Sequence, residues 1–276
     1  QLQDAVPMTL GQEFEAFAFT LKKEIQNLHN TSNDFLEVNM GATAIGTGLN
    51  APKGYAELCT EKLAQLLNEP VKLAENLVEA TSDTSSFVSY ASALKRLALK
   101  LSKICNDLRL LASGPRTGLY EINLPPKQPG SSIMPGKVNP VIPEVVNQVC
   151  FRIIGNETTV CLAAEAGQLQ LNVMEPIIAL TLFESIEILS NALDTLRVEC
   201  IDDITANVDH LKAEVQNSIG IVTALNPIIG YKNSTKIAKQ ALDENRSVYD
   251  LILEHNILTK EQLDMYLDPQ NMLRSH

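Results

Sequence analysis

Histidine is scarce in this chain, and its cysteines are scattered. The four histidines (His29, His210, His255 and His276) form no HExxH or other ligand spacing, so no zinc site is expected. The five cysteines (Cys59, Cys105, Cys150, Cys161 and Cys200) contain no CxxC pair and no even framework. Reduced thiols in a cytoplasmic protein are the expectation, not a disulfide scaffold. Basic residues are also few, 22 against 33 acidic ones, for a net charge of −11. That balance argues against non-specific nucleic-acid binding, because phosphates are met by Lys and Arg. It leaves small anionic substrates open, since one lysine in a closed pocket outweighs a distant acidic surface. No uninterrupted apolar run reaches the roughly 18–20 residues of a membrane span, so no membrane partner is expected. The opening Gln1-Leu2-Gln3-Asp4 is neither a Met start nor a signal peptide, and the chain is expected to be cut from something longer.

What is present is helical patterning. Hydrophobic residues make up 45% of the 276 and charged residues 20%, enough core for one large domain or two smaller ones. Phe14, Phe17, Leu21, Ile25 and Leu28 share one helical face between Thr9 and Leu28. Ala56, Cys59, Leu63, Leu66 and Leu67 share another. Ala91, Leu94, Ala98, Leu101, Cys105 and Leu108 continue a face for five turns. Leu97, Ile104 and Leu111 widen it, as in a helix buried on two sides. Val145, Val146, Val149, Cys150, Ile153 and Ile154 follow Pro143, a residue tolerated in a first helical turn. Ile178, Leu182, Ile186, Leu189, Leu193, Leu196 and Cys200 step by three or four for more than six turns. Stripes of this length predict an all-α chain whose helices pack lengthwise as an antiparallel bundle over residues 1–204. From about 205 to 276 the segments shorten to Leu211–Ile219, Ser234–Asn245, Ser247–His255 and Lys260–Tyr266, predicting a small helical second domain. Ser247 and Thr259 are good N-caps, the latter with Gln262 as a capping box.

Two stretches break the pattern. Gly41 to Asn50 has three glycines and no helical face, so it is a loop. It lacks the Lys-Ser/Thr and the preceding strand of a phosphate cradle. Leu124 to Pro140 carries five prolines and two glycines between long helices, more than a tight connection needs. Within it, Ser131 and Ser132 offer hydroxyls, Lys137 a cation and Asn139 an amide, with Gly130 and Gly136 as pivots. Lys137 and Asn139 suit a carboxylate, and N–H groups of such a turn can form a nest for an oxyanion. A serine beside them can act as a base or nucleophile. The same composition also suits a rigid surface turn.

Gly130-Ser-Ser-Ile133-Met134-Pro135-Gly-Lys-Val138-Asn-Pro140 resembles the signature loop of the aspartase/fumarase superfamily. Leu2 to Pro7 with Leu10 to Glu13, Gly41 to Asn50, and Lys103 to Arg109 with Ser113 to Arg116 also fit, so the resemblance runs nearly end to end. Asn139 to Val149, Glu165 to Pro176 and Gln1 resemble the aspartases more than the fumarate hydratases. The resemblance implies a homotetramer with a twenty-helix centre and reversible conversion of L-aspartate to fumarate and ammonia. It implies no organic cofactor and no metal ligands, and leaves divalent-cation activation open.

The resemblance also implies roles. Ser131 takes the Cβ proton, and Ser132 with the loop N–H groups holds the β-carboxylate as it becomes an aci-carboxylate. Lys137 and Asn139 bind the α-carboxylate side and favour ionised Ser131, while Gln1 orients the amino or α-carboxylate end. Glu144 sits behind the site, at a position that in the hydratase pairs with the His replaced here by Gln1. The loop is expected to open and close on Gly130 and Gly136, with Met134 as its anchor. The cysteines are expected to be core thiols, His29 and His210 solvated, and Asp202-Asp203 a helix-end pair. The glycines of 41–50 are expected to permit close backbone approach near the oligomer's site. Superfamily sites draw three stretches from three subunits. The third, Thr/Ser-rich stretch is not in this chain, nor is the Thr that normally precedes Gln1, so the chain alone is expected to be inactive. Fumarate hydratase and a catalytically incomplete oligomerisation core are the alternatives.

Overall fold

The computed structural model describes residues 3, 5–128, 130, 133, 134 and 136–272, with backbone alone at 269 and 270. The chain divides into two compact units. One takes residues 18–110 and 124–204, and the other takes the described residues of 1–17, 111–123 and 205–276.

The first unit is built on long helices: α1 (Leu10–Ser32), α2 (Tyr55–Leu67), α3 (Ser85–Leu111), α4 (Val141–Glu165) and α5 (Glu175–Glu199). The sequence stripes become its core. Leu94, Ala98, Leu101 and Cys105 of α3 meet Val146, Cys150, Ile153 and Val160 of α4, and Ile178, Leu182, Leu189 and Leu196 of α5. Burying each large apolar side chain contributes about 1.5–3 kcal/mol. Polar pairs between the helices fix their direction. Ser92 pairs with Glu157, Ser102 with Asn147 and Arg109 with Glu144, so α4 descends as α3 ascends. Arg152 and Asn156 of α4 bond Glu184 and Ser185 of α5, tying these two helices together.

Asn172 makes the α4–α5 turn. Its buried carboxamide donates to the carbonyls of Ala163 (3.0 Å) and Ala164 (3.2 Å), closing the end of α4. Its oxygen accepts from the Met174 N–H at 2.8 Å, opening α5, where Pro176 then tolerates the first turn. Two-residue strands β1 (Glu37–Val38) and β2 (Lys72–Leu73) pair in parallel. In the loop 41–50, Gly46 lies at φ +92°, and a Cβ there would sit 2.3 Å from Val78 Cα. The close approach expected of these glycines is therefore made to the chain's own backbone at 77 and 78.

The second unit contains α6 (Val208–Asn217), α7 (Ile221–Ile229), α8 (Tyr231–Glu244), α9 (Val248–Glu254), α10 (Lys260–Tyr266) and α11 (Pro269–Met272). Ile221, Leu225, Ile237, Leu251, Ile252 and Leu263 form its core. Ser247 caps α9 and Thr259 forms the expected capping box with Gln262. Strands β3 (Ile122–Asn123) and β4 (Thr205–Ala206) pair antiparallel, so residues 111–123 join this unit through hydrogen bonds that no local pattern announces.

Several assignments differ from the sequence reading. The expected helix Leu211–Ile219 is Val208–Asn217, and α7 was not anticipated. Pro227 and the flanking Gly220 and Gly230 masked its periodicity. His210 is not simply solvated: its Nε2 lies 2.7 Å from the Leu119 carbonyl and 3.1 Å from Glu214. Cys105, Cys150 and Cys200 are buried as expected, whereas Cys59 and Cys161 are half-buried. Burial pushes the Cys105 thiol up to about 12 and those of Cys150 and Cys200 up to about 11.

Candidate active site

The signature loop closes at its stem. A Cβ at position 130 would stand 1.9 Å from the Lys137 carbonyl oxygen, so only glycine lets the two arms meet. Asn139 Nδ2 donates a long bond, 3.5 Å, to the Gly130 carbonyl across the same closure. The Lys137 N–H donates to the Met134 carbonyl at 3.3 Å, forming a turn in which Gly136 takes φ +79°. Gly130 is thus required by close packing, and Gly136 by its left-handed backbone. Ile133, Met134, Lys137 and Val138 are exposed, Met134 at 47%. Ser131, Ser132, Pro135 and Gln1 lie outside the described residues.

An open groove of about 410 Å³ runs along the loop, between Pro126–Gln128 on one side and Gly130, Met134 and Gly136–Val138 on the other. It holds two cations. Lys137 makes no ion pair among the described residues, which leaves it available to an anion. Lys127 is 2.8 Å from Glu199 and 4.0 Å from Asp203, and the Glu199 hydrogen bond raises its pKa. Lys127 was not singled out in the sequence, because its partner lies at the far end of α5.

The loop runs directly into α4. Pro140 provides no side-chain cap there, so the positive end of the helix faces the arm carrying Lys137 and Asn139. Beneath that first turn lies a polar ladder. Asn147, fully buried, donates to the Ser102 carbonyl (3.1 Å), Ser102 Oγ (2.9 Å) and Asn106 Oδ1 (3.1 Å). It accepts from Arg109 Nη1 at 3.3 Å, and Arg109 Nη2 stands 4.0 Å from Glu144. Ser102, Asn106 and Arg109 recur at helical spacing on α3, as Glu144 and Asn147 do on α4. The ladder therefore fixes the platform on which Lys137, Asn139 and Glu144 stand. Polar residues at i, i+4 and i+7 inside an apolar stripe were the only signal for it. Asp202 and Asp203 pair with Arg197 and Lys127, and no metal-holding group occurs among the described residues.

A groove with a lysine that has no ion pair among the described residues, an amide, a helix N-terminus without a side-chain cap and a rigid support is suited to a small carboxylate. Comparisons with known proteins give the family. Residues 1–155 match the lyase family, and residues 221–274 match the fumarase C C-terminus. The chain belongs to the aspartase/fumarase superfamily. Among superfamily members, it is 60% identical over 274 residues to the aspartate ammonia-lyase of Pseudomonas aeruginosa. That match covers 99% of this chain and 58% of the relative, so the chain spans less than two thirds of the relative's length. A fumarate lyase:delta crystallin structure from Brucella melitensis superposes with a TM-score of 0.94 at 52% identity, covering 99% of this chain and 59% of that one. A class II fumarase from Schistosoma mansoni superposes at 0.89 with 34% identity, covering 98% and 60%. The superfamily's helical architecture is thus shared along nearly the whole chain.

Proposed function

We propose that this chain supplies the signature loop of an ammonia-lyase that converts L-aspartate reversibly to fumarate and ammonia. The observation that carries the reading is the closed-stem loop mounted on α4, with Lys137, which has no ion pair among the described residues, on the same arm as Asn139. Identity of 60% to an aspartate ammonia-lyase against 34% to a fumarase supports ammonia over water as the leaving group.

The chemical difficulty is the Cβ proton, which is not acidic. Its removal drives charge onto the β-carboxylate, so catalysis depends on donors matched to the dianionic aci-carboxylate. In this proposal Ser131 is the base, and Ser132 with loop N–H groups holds the growing charge. Lys137 and Asn139 hold the α-carboxylate side, helped by the positive end of α4. Gln1 orients the amino end, and Glu144 acts from behind, positioned by Arg109. Loss of the Cβ proton and expulsion of ammonia then leave the fumarate double bond. The scheme uses no organic cofactor.

The proposed assembly is a homotetramer in which different subunits complete each site. Its support is apolar surface on the core helices: Phe183 is 71% exposed, Leu180 64% and Phe151 61%. The segment Glu175–Asp203 is also long and apolar enough, by length and composition, to cross a membrane. However, Glu184 on that helix is paired with Arg152 and Asn156 of α4, which favours burial against other helices. A cytoplasmic setting is proposed from the unpaired thiols. The test of substrate is parallel turnover of L-aspartate and L-malate by a protein in which this chain is accompanied by the third, Thr/Ser-rich stretch. Preferential fumarate formation from aspartate is expected; preferential formation from malate would make it a hydratase.

A further inference from the structure

Glu199 is the last residue of α5, where the negative end of the helix adds to its own charge. Asp203 follows in the single turn Ile201–Asp203 and brings a second carboxylate. Arg197 is taken by Asp202 at 3.1 Å. Among the described residues, Lys127 is therefore the cation that answers Glu199 and Asp203.

Lys127 lies on the first arm of the signature loop, which little else holds. Pro125 and Pro126 have no N–H to give, and among the described residues 124–128 make no backbone hydrogen bond. Leu124 packs on the core at the start of the arm. Beyond it, the Lys127 pair is the one polar tie of this arm found among the described residues. The other arm is mounted on α4, and the two meet where Gly130 lies against the Lys137 carbonyl. Holding Lys127 on the end of α5 thus holds the groove wall Pro126–Gln128 opposite Lys137.

We propose that Lys127 is a positioning residue: its ion pair with Glu199 ties the first loop arm to the end of α5 and fixes the width of the groove. The kinetic consequence rests on the deamination reading; the tie itself does not. If Lys127 instead touched the substrate as a second cation, a charge swap with Glu199 would not restore turnover.

The test uses a protein that carries this chain with the third, Thr/Ser-rich stretch. Lys127→Gln, Glu199→Gln, Lys127→Arg and the swap Lys127→Glu with Glu199→Lys are compared with the parent. Two quantities are read: aspartate turnover, and the initial rate of native-state tryptic cleavage at Lys137–Val138, beside the stem closure. Lys127→Gln and Glu199→Gln should each lower kcat/KM and raise the cleavage rate about three- to fivefold, the worth of a partly exposed ion pair. Lys127→Arg keeps the charge and the swap keeps the pair, so both should stay within about twofold of the parent. Tm should change little throughout. A swap that fails to recover turnover while Lys127→Arg retains it would make Lys127 a cation for the substrate and overturn the proposal. So would parental cleavage rates in both neutral variants. Faster cleavage in those variants of a parent that does not deaminate aspartate would support the tie and overturn the deamination reading alone.

Discussion

Lys137 and Glu157 show how differently two charged side chains serve this molecule. Lys137 is exposed, unpaired among the described residues, and placed on the loop arm beside Asn139. Removing it should weaken the hold on the substrate carboxylate without disturbing the core. Lys137→Ala is expected to raise KM for aspartate and lower kcat/KM by about tenfold or more, the worth of a charged hydrogen bond. Steady-state kinetics with an unchanged Tm would bear this out. Glu157 is structural. Burial alone would raise its pKa, but hydrogen bonds from Lys95 (2.6 Å) and Ser92 (3.1 Å) hold it below the usual carboxylate range. A depressed folded pKa contributes stability above the unfolded value and loses it as pH falls through the folded one. Tm should therefore fall more steeply between about pH 6 and pH 3 in the parent than in Glu157→Gln. Parallel slopes would remove Glu157 from the acid response. The proposed loop residues rest on a contiguous motif, which a local reading of the sequence can find. His210 was not, because its carbonyl partner, Leu119, is distant in sequence.

The long helices were legible because an apolar residue every three or four positions, kept up for several turns, has no other stable use. The ends were less so: α3 extends to Ser85 and α4 to Glu165, beyond the last residues of their stripes. Helix α7 escaped because its proline and flanking glycines are helix breakers in isolation, and packing of Ile221, Leu225 and Ile229 overrides them. The β3–β4 pair escaped because its partners are far apart in the chain. At this scale Asn172 is the informative position. It satisfies the end of α4 and the start of α5 at once. Asn172→Ala should destabilise the protein by about 1–3 kcal/mol, the cost of unpaired buried backbone groups. Chemical denaturation would measure it, and a change below about 0.5 kcal/mol would mean that the turn does not depend on this side chain.

The whole molecule has more apolar surface on its core helices than one copy covers. If Phe183, Leu180 and Phe151 face other subunits, Phe183→Asp places a charge in an interface core, and light scattering should show the oligomer shifting toward smaller species. Turnover should fall with it, because each proposed site needs residues from several subunits. An active, monodisperse monomer would contradict the assembly.

The account turns on a serine base mounted on the signature loop. The most direct measurement is fumarate formation from L-aspartate, followed by ultraviolet absorbance, in a parent protein that carries all three stretches and in its Ser131→Ala variant at equal oligomeric state. The account predicts a fall in kcat of at least ~10²–10⁴, the contribution of a positioned base, with fold and assembly unchanged. Near-parental kcat in the variant would show that Ser131 does not take the Cβ proton.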